Sequence, residues 1–318
     1  MSVFYFQLGN TPKLSLAELN QLLPQPAQDV GHGLAQAELP TDFSVKDLQK
    51  RAGGIVKTFK KIKSLTETDR SQLNNTVVSS LLDLQANNNK LTFSLCYPNQ
   101  TFRPQLSLTE LKKQLRPQIS NVRYVKSQAA GLSAAVLLHQ DVTELALIQL
   151  ESELVLAKTT SVQDIDDWTK RDRQKPYADH QRGMLPPKVA RMMVNLARGY
   201  LDETAFESEN KPTLYDPFCG SGTILMEAML RDFAVQGSDL DQAAVKGAEK
   251  NLNWLKKEYH LTAAARVLAR DATQSFNPQT KAWVEAIVTE PFLGKQTPKN
   301  HELSDIFKGL YRTYLGAM

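Results

Sequence analysis

The sequence predicts two successive regions: a mixed α+β region over about residues 1–167 and, from about residue 183, a doubly wound α/β sheet of parallel strands. Three observations predict it. Short strand-like and helix-like patterns alternate through the first 160 residues, the stretch from Trp168 to Pro187 loses apolar periodicity, and two βαβ steps follow.

In chain order, SVFYFQLG opens as a strand, followed by the helical pattern LSLAELNQLL at 14–23 and the strand IVKTFKKI at 55–62. SQLNNTVVSSLLDL at 71–84 is helical, LTFSLCYP at 91–98 a strand, SLTELKKQL at 107–115 a helix and ELVLAKTTSV at 153–162 a strand. Asn87 to Asn89 mark a turn, and no internal repeat is found. WTKRDRQKPYADHQR gathers charge and is expected as a linker over 168–182, with a helix opening at PKVARMMVNLARGYL, where proline costs little in the first turn. Then LYDPF, GTILMEAML, FAVQGSD, DQAAVKGAEKNLNWL, ARVLARDA and WVEAIVTEPFL run as strand, helix, strand, helix, strand, strand, with Asp241 as the expected cap of the second helix.

Composition narrows the class. No run of about 18 apolar residues occurs, and the N-terminus lacks a basic, cleavable leader, so a cytoplasmic protein is expected, neither exported nor membrane-bound. The two cysteines, Cys96 and Cys219, match neither a zinc spacing nor a disulfide framework, and the histidines are scattered, so no metal is expected. Residues 41–131 carry 15 Lys and Arg against 6 Asp and Glu, within a chain of net charge +4. A basic first half of this kind suits a nucleic-acid grip, with a solvated face as the bland alternative. The same choice applies to Lys60, Lys61 and Lys63 with Phe59, where the solvated strand face is the expectation.

The clearest chemical signature is DPFCGSGT at 216–223, between a strand and a helix. A phosphate-binding loop needs Lys and a hydroxyl after its last glycine, but Thr223 and Ile224 follow Gly222. A dinucleotide fingerprint needs a third small residue, and that place holds Leu225. What remains is a tight turn beside a carboxylate, Asp216, which suits a cationic ligand. S-adenosylmethionine, with a sulfonium and an ammonium against one carboxylate, is such a ligand. Asp239 ends the next strand, where it can accept from ribose hydroxyls, and Asp271 ends the third, where an acceptor can receive an adenine amine. A lone Asp at a strand end is usually a helix cap, but three on successive strands with a glycine loop converge on one sheet edge.

DPFCGSGTILMEA, GSDLD and AIVTEPFLG resemble the Rossmann-fold, class I amino-methyltransferases. With GMLPPKVARMMVNLA at 183–197 and the RD of RDRQKPYADH, they resemble the archaeal and eukaryotic tRNA guanosine-N2 methyltransferases that modify position 10. FQLGNTPKLSLAEL and RYVKSQAAGLSAAVLL at 123–138 resemble, more loosely, that family's ferredoxin-like and THUMP regions. The resemblance implies an RNA-binding region over 1–167, a linker over 168–182 and a methyltransferase domain over 183–318. It further implies S-adenosylmethionine as cofactor, tRNA as partner, and Asp216, Phe218, Gly220, Gly222, Asp239 and Asp271 as cofactor-binding residues.

By the same resemblance Glu290, Pro291 and Phe292 stand where the family has a D-P-P-Y-G catalytic motif. An exocyclic guanine amine is a poor nucleophile, because its lone pair is delocalised into the ring. Oxygen acceptors for its two N–H groups favour a pyramidal nitrogen and stabilise the charge that develops. Glu290 is one methylene longer than Asp, Leu293 replaces the stacking Tyr, and Phe292 either stacks on a flipped base or is ordinary core. This departure keeps a non-catalytic RNA-binding protein as an alternative. A DNA amino-methyltransferase is another, although no target-recognition insertion is seen. Since 24 residues follow Gly294 and Glu302 to Leu315 has the pattern of one amphipathic helix, the reading expects an incomplete sheet. A truncated or split enzyme, complemented by a C-terminal half or an activating subunit, follows as an expectation.

Overall fold

A computed structural model describes residues 1–85, 89–99, 104, 106–179, 184–272, 284–291 and 308. These fall into two compact units, Met1–Asp166 and Asp167–Met318. Among the described residues, no helix is long and apolar enough to cross a membrane.

The first unit begins with β1 (Ser2–Leu8), α1 (Pro12–Leu22), β2 (Gln28–Gly31), β3 (Leu34–Leu39), α2 (Val45–Arg51) and β4 (Ile55–Leu65). Their strands lie in the order β2-β3-β1-β4, the arrangement of a ferredoxin-like βαββαβ unit. The β2–β3 hairpin turns through Gly31, His32 and Gly33, all at positive φ. Phe4, Phe6, Leu19, Leu39, Leu48 and Ile55 fill the core beneath it. The chain continues through α3 (Glu67–Ser71), α4 (Leu73–Leu84), β5 (Lys90–Cys96), α5 (Leu108–Leu115), β6 (Asn121–Tyr124), α6 (Ala134–His139), β7 (Thr143–Gln149) and β8 (Leu154–Val162). These strands extend the same sheet as β4-β8-β7-β5-β6. Sequence patterns located β1, β4, β5 and β8, but not β2, β3, β6, β7, α2, α3 or α6. Phe59 is core, Lys61 pairs with Glu153 at 3.2 Å and Lys63 with Asp69 at 2.6 Å, which accounts for much of that basic cluster without RNA.

Between the sheets the stretch expected as a linker is partly helical. α7 (Ile165–Arg173) runs into it, and Trp168, Arg171 and Lys175 are buried. The apolar period is lost there because the buried side chains are long cations: Arg171 stacks on Trp168 at 4.0 Å and finds carboxylates behind it.

The second unit holds α8 (Pro187–Arg198), β9 (Thr213–Asp216), α9 (Thr223–Met229), β10 (Ala234–Asp239), α10 (Gln242–Tyr259), β11 (Ala265–Ala269) and β12 (Ala286–Ile287). Among the described residues its sheet has the order β11-β10-β9-β12, with every pair parallel. The chain steps outward from β9 to β11 and returns to the other side at β12. The C-terminal ends of β9 and β12 therefore flank a topological switch point, where ligands bind in such sheets. Leu214, Leu225, Phe233, Val235, Leu252 and Leu255 form the core between helices and sheet. Phe292, Leu293, Gly294 and most of the helix expected over 302–315 lie outside the described residues.

Candidate active site

β9 ends in Asp216, and the chain turns through 217–222 into α9. The turn needs glycine at two places: Gly220 has φ 50°, and Gly222, which caps α9, has φ 82° with Ala248 Cβ only 3.1 Å from where its own Cβ would stand. β10 fastens the turn. Cys219 N–H donates to the Ser238 carbonyl at 2.9 Å, and Gly220 N–H donates to Asp239 Oδ2 at 2.9 Å. Close helix–strand packing is achieved from the strand side. Gly237 leaves a space in which a Cβ would lie 2.5 Å from Leu225 Cδ1, so Leu225 fits at the place that a dinucleotide fingerprint would give to a small residue.

Asp216 is buried, and its Oδ1 accepts from Phe218 N–H at 3.1 Å and from the Thr289 hydroxyl at 2.7 Å. Burial pushes its carboxyl up to about 7; the Thr289 and Phe218 hydrogen bonds oppose this, and the charges of Asp239 and Glu290 add to it. Asp239 is half-buried, and its Oδ1 accepts from Asp241 N–H at 3.0 Å. Asp241 in turn caps α10, accepting from Ala243 N–H at 2.8 Å. Cys219 is buried, and burial together with the nearby Asp216 and Asp239 pushes its thiol far up, so it is protonated and no nucleophile.

One cleft of about 850 Å³ lies at the C-terminal ends of these strands. It brings together Asp216, Phe218, Gly220, Asp239, Asp271, Glu290 and Pro291 from the sequence analysis. Gly222 stands behind it as the helix cap, and Phe292 lies outside the described residues. Tyr177, Leu240 and Arg270 also line the cleft and were not foreseen. Arg270 donates to the Tyr215 hydroxyl at 3.2 Å, which bonds Ser238 Oγ at 2.7 Å. Tyr177 sits in the stretch expected to be linker; the signal for it was Gly247, a glycine in the interior of a strongly helical pattern.

A parallel sheet that switches direction beside its first strand, with a glycine loop after that strand and a carboxylate closing the second, defines a class I, Rossmann-like methyltransferase fold. Solved structures agree on the fold. TrmN from Thermus thermophilus superimposes with a TM-score of 0.53 at 17% identity, covering 99% of this chain and 82% of that one. SMU.472, crystallised with SAH, gives 0.53 at 12% identity, covering 99% of this chain and 86% of its own.

By sequence the chain is similar to tRNA guanine-N2 methyltransferases. Residues 176–315 match the RMKL-like methyltransferase domain. Over 166 residues the chain is 30% identical to the tRNA (guanine(10)-N2)-dimethyltransferase of Methanocaldococcus jannaschii, a match covering 49% of this chain and 44% of that protein. Over 124 residues it is 33% identical to the enzyme of the same name from Pyrococcus abyssi, covering 39% of this chain and 33% of that protein. The match thus spans less than half the length of either relative.

Proposed function

We propose that this chain transfers a methyl group from S-adenosylmethionine to the exocyclic amine of a guanine in tRNA. The observation that carries the reading is the convergence of Asp216, Asp239, Asp271 and Glu290 on one cleft at the switch point. The residues present fit the cofactor. Besides those four, Asp179 and Asp241 also face the cleft, and Arg270 is the one Lys or Arg among its described lining residues. Such a lining repels phosphates and favours a ligand bearing a sulfonium and an ammonium.

When bound, S-adenosylmethionine supplies a methyl group on a cationic sulfur. The chain's own groups do the rest. Asp239 accepts from the ribose hydroxyls and Asp271 from the adenine amine, while Asp216 faces the cationic part with a carboxyl that a positive charge would ionise. Glu290 and a neighbouring backbone carbonyl accept the N–H bonds of the guanine amine and position its nitrogen for in-line attack. The relatives' names, and the basic stretch in the first unit, support tRNA as the substrate.

A non-catalytic RNA-binding protein is the second reading, favoured by Glu290 in place of the family's Asp. Labelled S-adenosylmethionine incubated with unmodified tRNA, followed by nuclease digestion and mass spectrometry, separates the two. N2-methylguanosine is the expected product, and unlabelled tRNA would leave the second reading.

Two further outcomes are expected. Asp239→Ala removes an acceptor for the ribose and the anchor of Gly220 N–H, and should weaken S-adenosylmethionine binding by about 1.5–3 kcal/mol. Unchanged affinity by calorimetry would move the cofactor elsewhere. A fragment ending at Asp166 should bind tRNA with little sequence preference and lose affinity steeply between low and physiological salt. Tight binding indifferent to salt would remove the first unit from the tRNA-gripping role.

A further inference from the structure

Asn251 lies in the middle of α10, where an amide side chain adds nothing to the helix, and it is fully buried. Its hydrogen bonds go to distant backbone. Oδ1 accepts from Tyr177 N–H at 2.9 Å, and Nδ2 donates to the Tyr177 carbonyl at 3.0 Å, as a neighbouring strand would. Nδ2 also donates to the Ser221 carbonyl at 2.8 Å, in the turn between β9 and α9. Four residues earlier, on the same face of the helix, Gly247 is bare. A Cβ there would stand 2.1 Å from Tyr177 Cδ1 and 2.3 Å from Cε1, so the ring fills that place. α10 therefore carries a receptor for Tyr177: Gly247 takes its ring and Asn251 its peptide. Two residues before Tyr177, buried Lys175 donates to Thr223 Oγ1 at 3.4 Å. The segment 175–177 is thus tied to the first residue of α9 directly through Lys175, and to the turn at Ser221 by way of Asn251.

Resting on the reading of the cleft as an S-adenosylmethionine site, we infer that Asn251 is a positioning residue. It locks the turn 217–222 in its ligand-receiving form and seats Tyr177 as a wall of the cofactor site. Asn251 does not line the cleft; it acts through Ser221 and Tyr177, which do.

The test is made in the full chain with Asn251→Ala and Gly247→Ala. The second variant expels the ring while giving the helix a better former, so it guards against simple unfolding. In both, hydrogen exchange of the amides from Phe218 to Gly222 should quicken roughly tenfold, the factor that corresponds to losing about one good hydrogen bond, while β10 keeps its wild-type rates. The Kd for S-adenosylmethionine should rise about tenfold by calorimetry, and transfer to tRNA should show a raised cofactor KM with kcat changed by less than roughly threefold. A merely structural Asn251 would lower the melting temperature and leave this split unmoved. Exchange of the turn at wild-type rates in both variants overturns the inference, whatever the cofactor does. A wild-type protein without affinity for S-adenosylmethionine overturns the functional reading instead, and the exchange result still decides whether Asn251 holds the turn.

Discussion

Asp216→Asn is expected to make the protein more stable at pH 8, unchanged at pH 4, and poorer at binding a cationic cofactor. In the unfolded chain this carboxyl ionises near 3.8, whereas in the fold burial raises it to about 7. Between these values the folded state holds a proton that the unfolded state has lost. Stability contributed by this group therefore falls as pH rises from about 4 to about 7, and is level above that. Three pH units at 1.36 kcal/mol each put the cost of the ionised carboxylate on the order of 4 kcal/mol. The asparagine amide oxygen can keep the bonds from Phe218 and Thr289 but carries no charge, so a gain of about 2–4 kcal/mol at pH 8 should appear in urea unfolding. Equal stability of the two proteins at pH 8 would contradict a raised carboxyl.

The same carboxyl sets the sign of the pH effect on binding. A bound cation stabilises the ionised form, lowers its pKa and drives off the proton. Affinity of the wild type should therefore rise with pH up to about 7 and flatten above, while the Asn variant should bind weakly with no such slope. Calorimetry in two buffers of different ionisation enthalpy would detect the released proton. The group thus lowers the stability of the fold at neutral pH while favouring a cationic ligand, a trade common where a charge is held out of water for function.

How far these properties were legible in the sequence depends on where each side chain finds its partner. β9, β10 and the helices after them were readable because these two short strands end in Asp216 and Asp239, and because α10 keeps its period over 18 residues behind the Asp241 cap. β7 was not readable. Most of its residues, TELALIQ, are good helix formers, and five in a row are buried in the middle of the sheet, so the alternation that marks a half-exposed strand is absent. β2 and β3 are joined through three positive-φ residues, and Ala-rich β3 has little strand propensity of its own. Asp216, Asp239 and Asp271 announced themselves by position after strands. Asn251 did not, since its partner Tyr177 lies 74 residues away, and no local pattern encodes a bond of that span. Thr289 is equally silent: only the pairing of β12 with β9 brings its hydroxyl to Asp216.

The charged stretch before α8 conceals the other large effect, which lies at Glu227. This carboxylate is fully buried on α9 between two buried guanidinium groups. Arg171 donates to both of its oxygens through Nη1, and Arg191 donates to Oε2 through Nε at 2.8 Å and lies 2.7 Å from it through Nη2. Burial lowers the pKa of Arg171, but the charges of Glu227 and Asp167 outweigh this, so its net shift is upward. Glu227→Ala would leave two cations in the interior facing a cavity, and should cost about 3–5 kcal/mol, the loss seen when one member of a buried ion group is removed. For a unit of ordinary stability this is about a fifth or more of the total. Because α9 begins at the Gly222 cap, the turn 217–222 should loosen along with the helix that follows it. The measurement is denaturant unfolding of Glu227→Ala against the triple replacement Arg171→Met, Glu227→Met, Arg191→Met. Taking all three charges out of water has its own cost, so the triple variant should recover most of the loss and stand within about 2 kcal/mol of the wild type. A triple variant as unstable as Glu227→Ala would mean that the ion group stabilises the fold by its own attraction rather than by mutual neutralisation, and would refute this account of why the charged segment packs against α9.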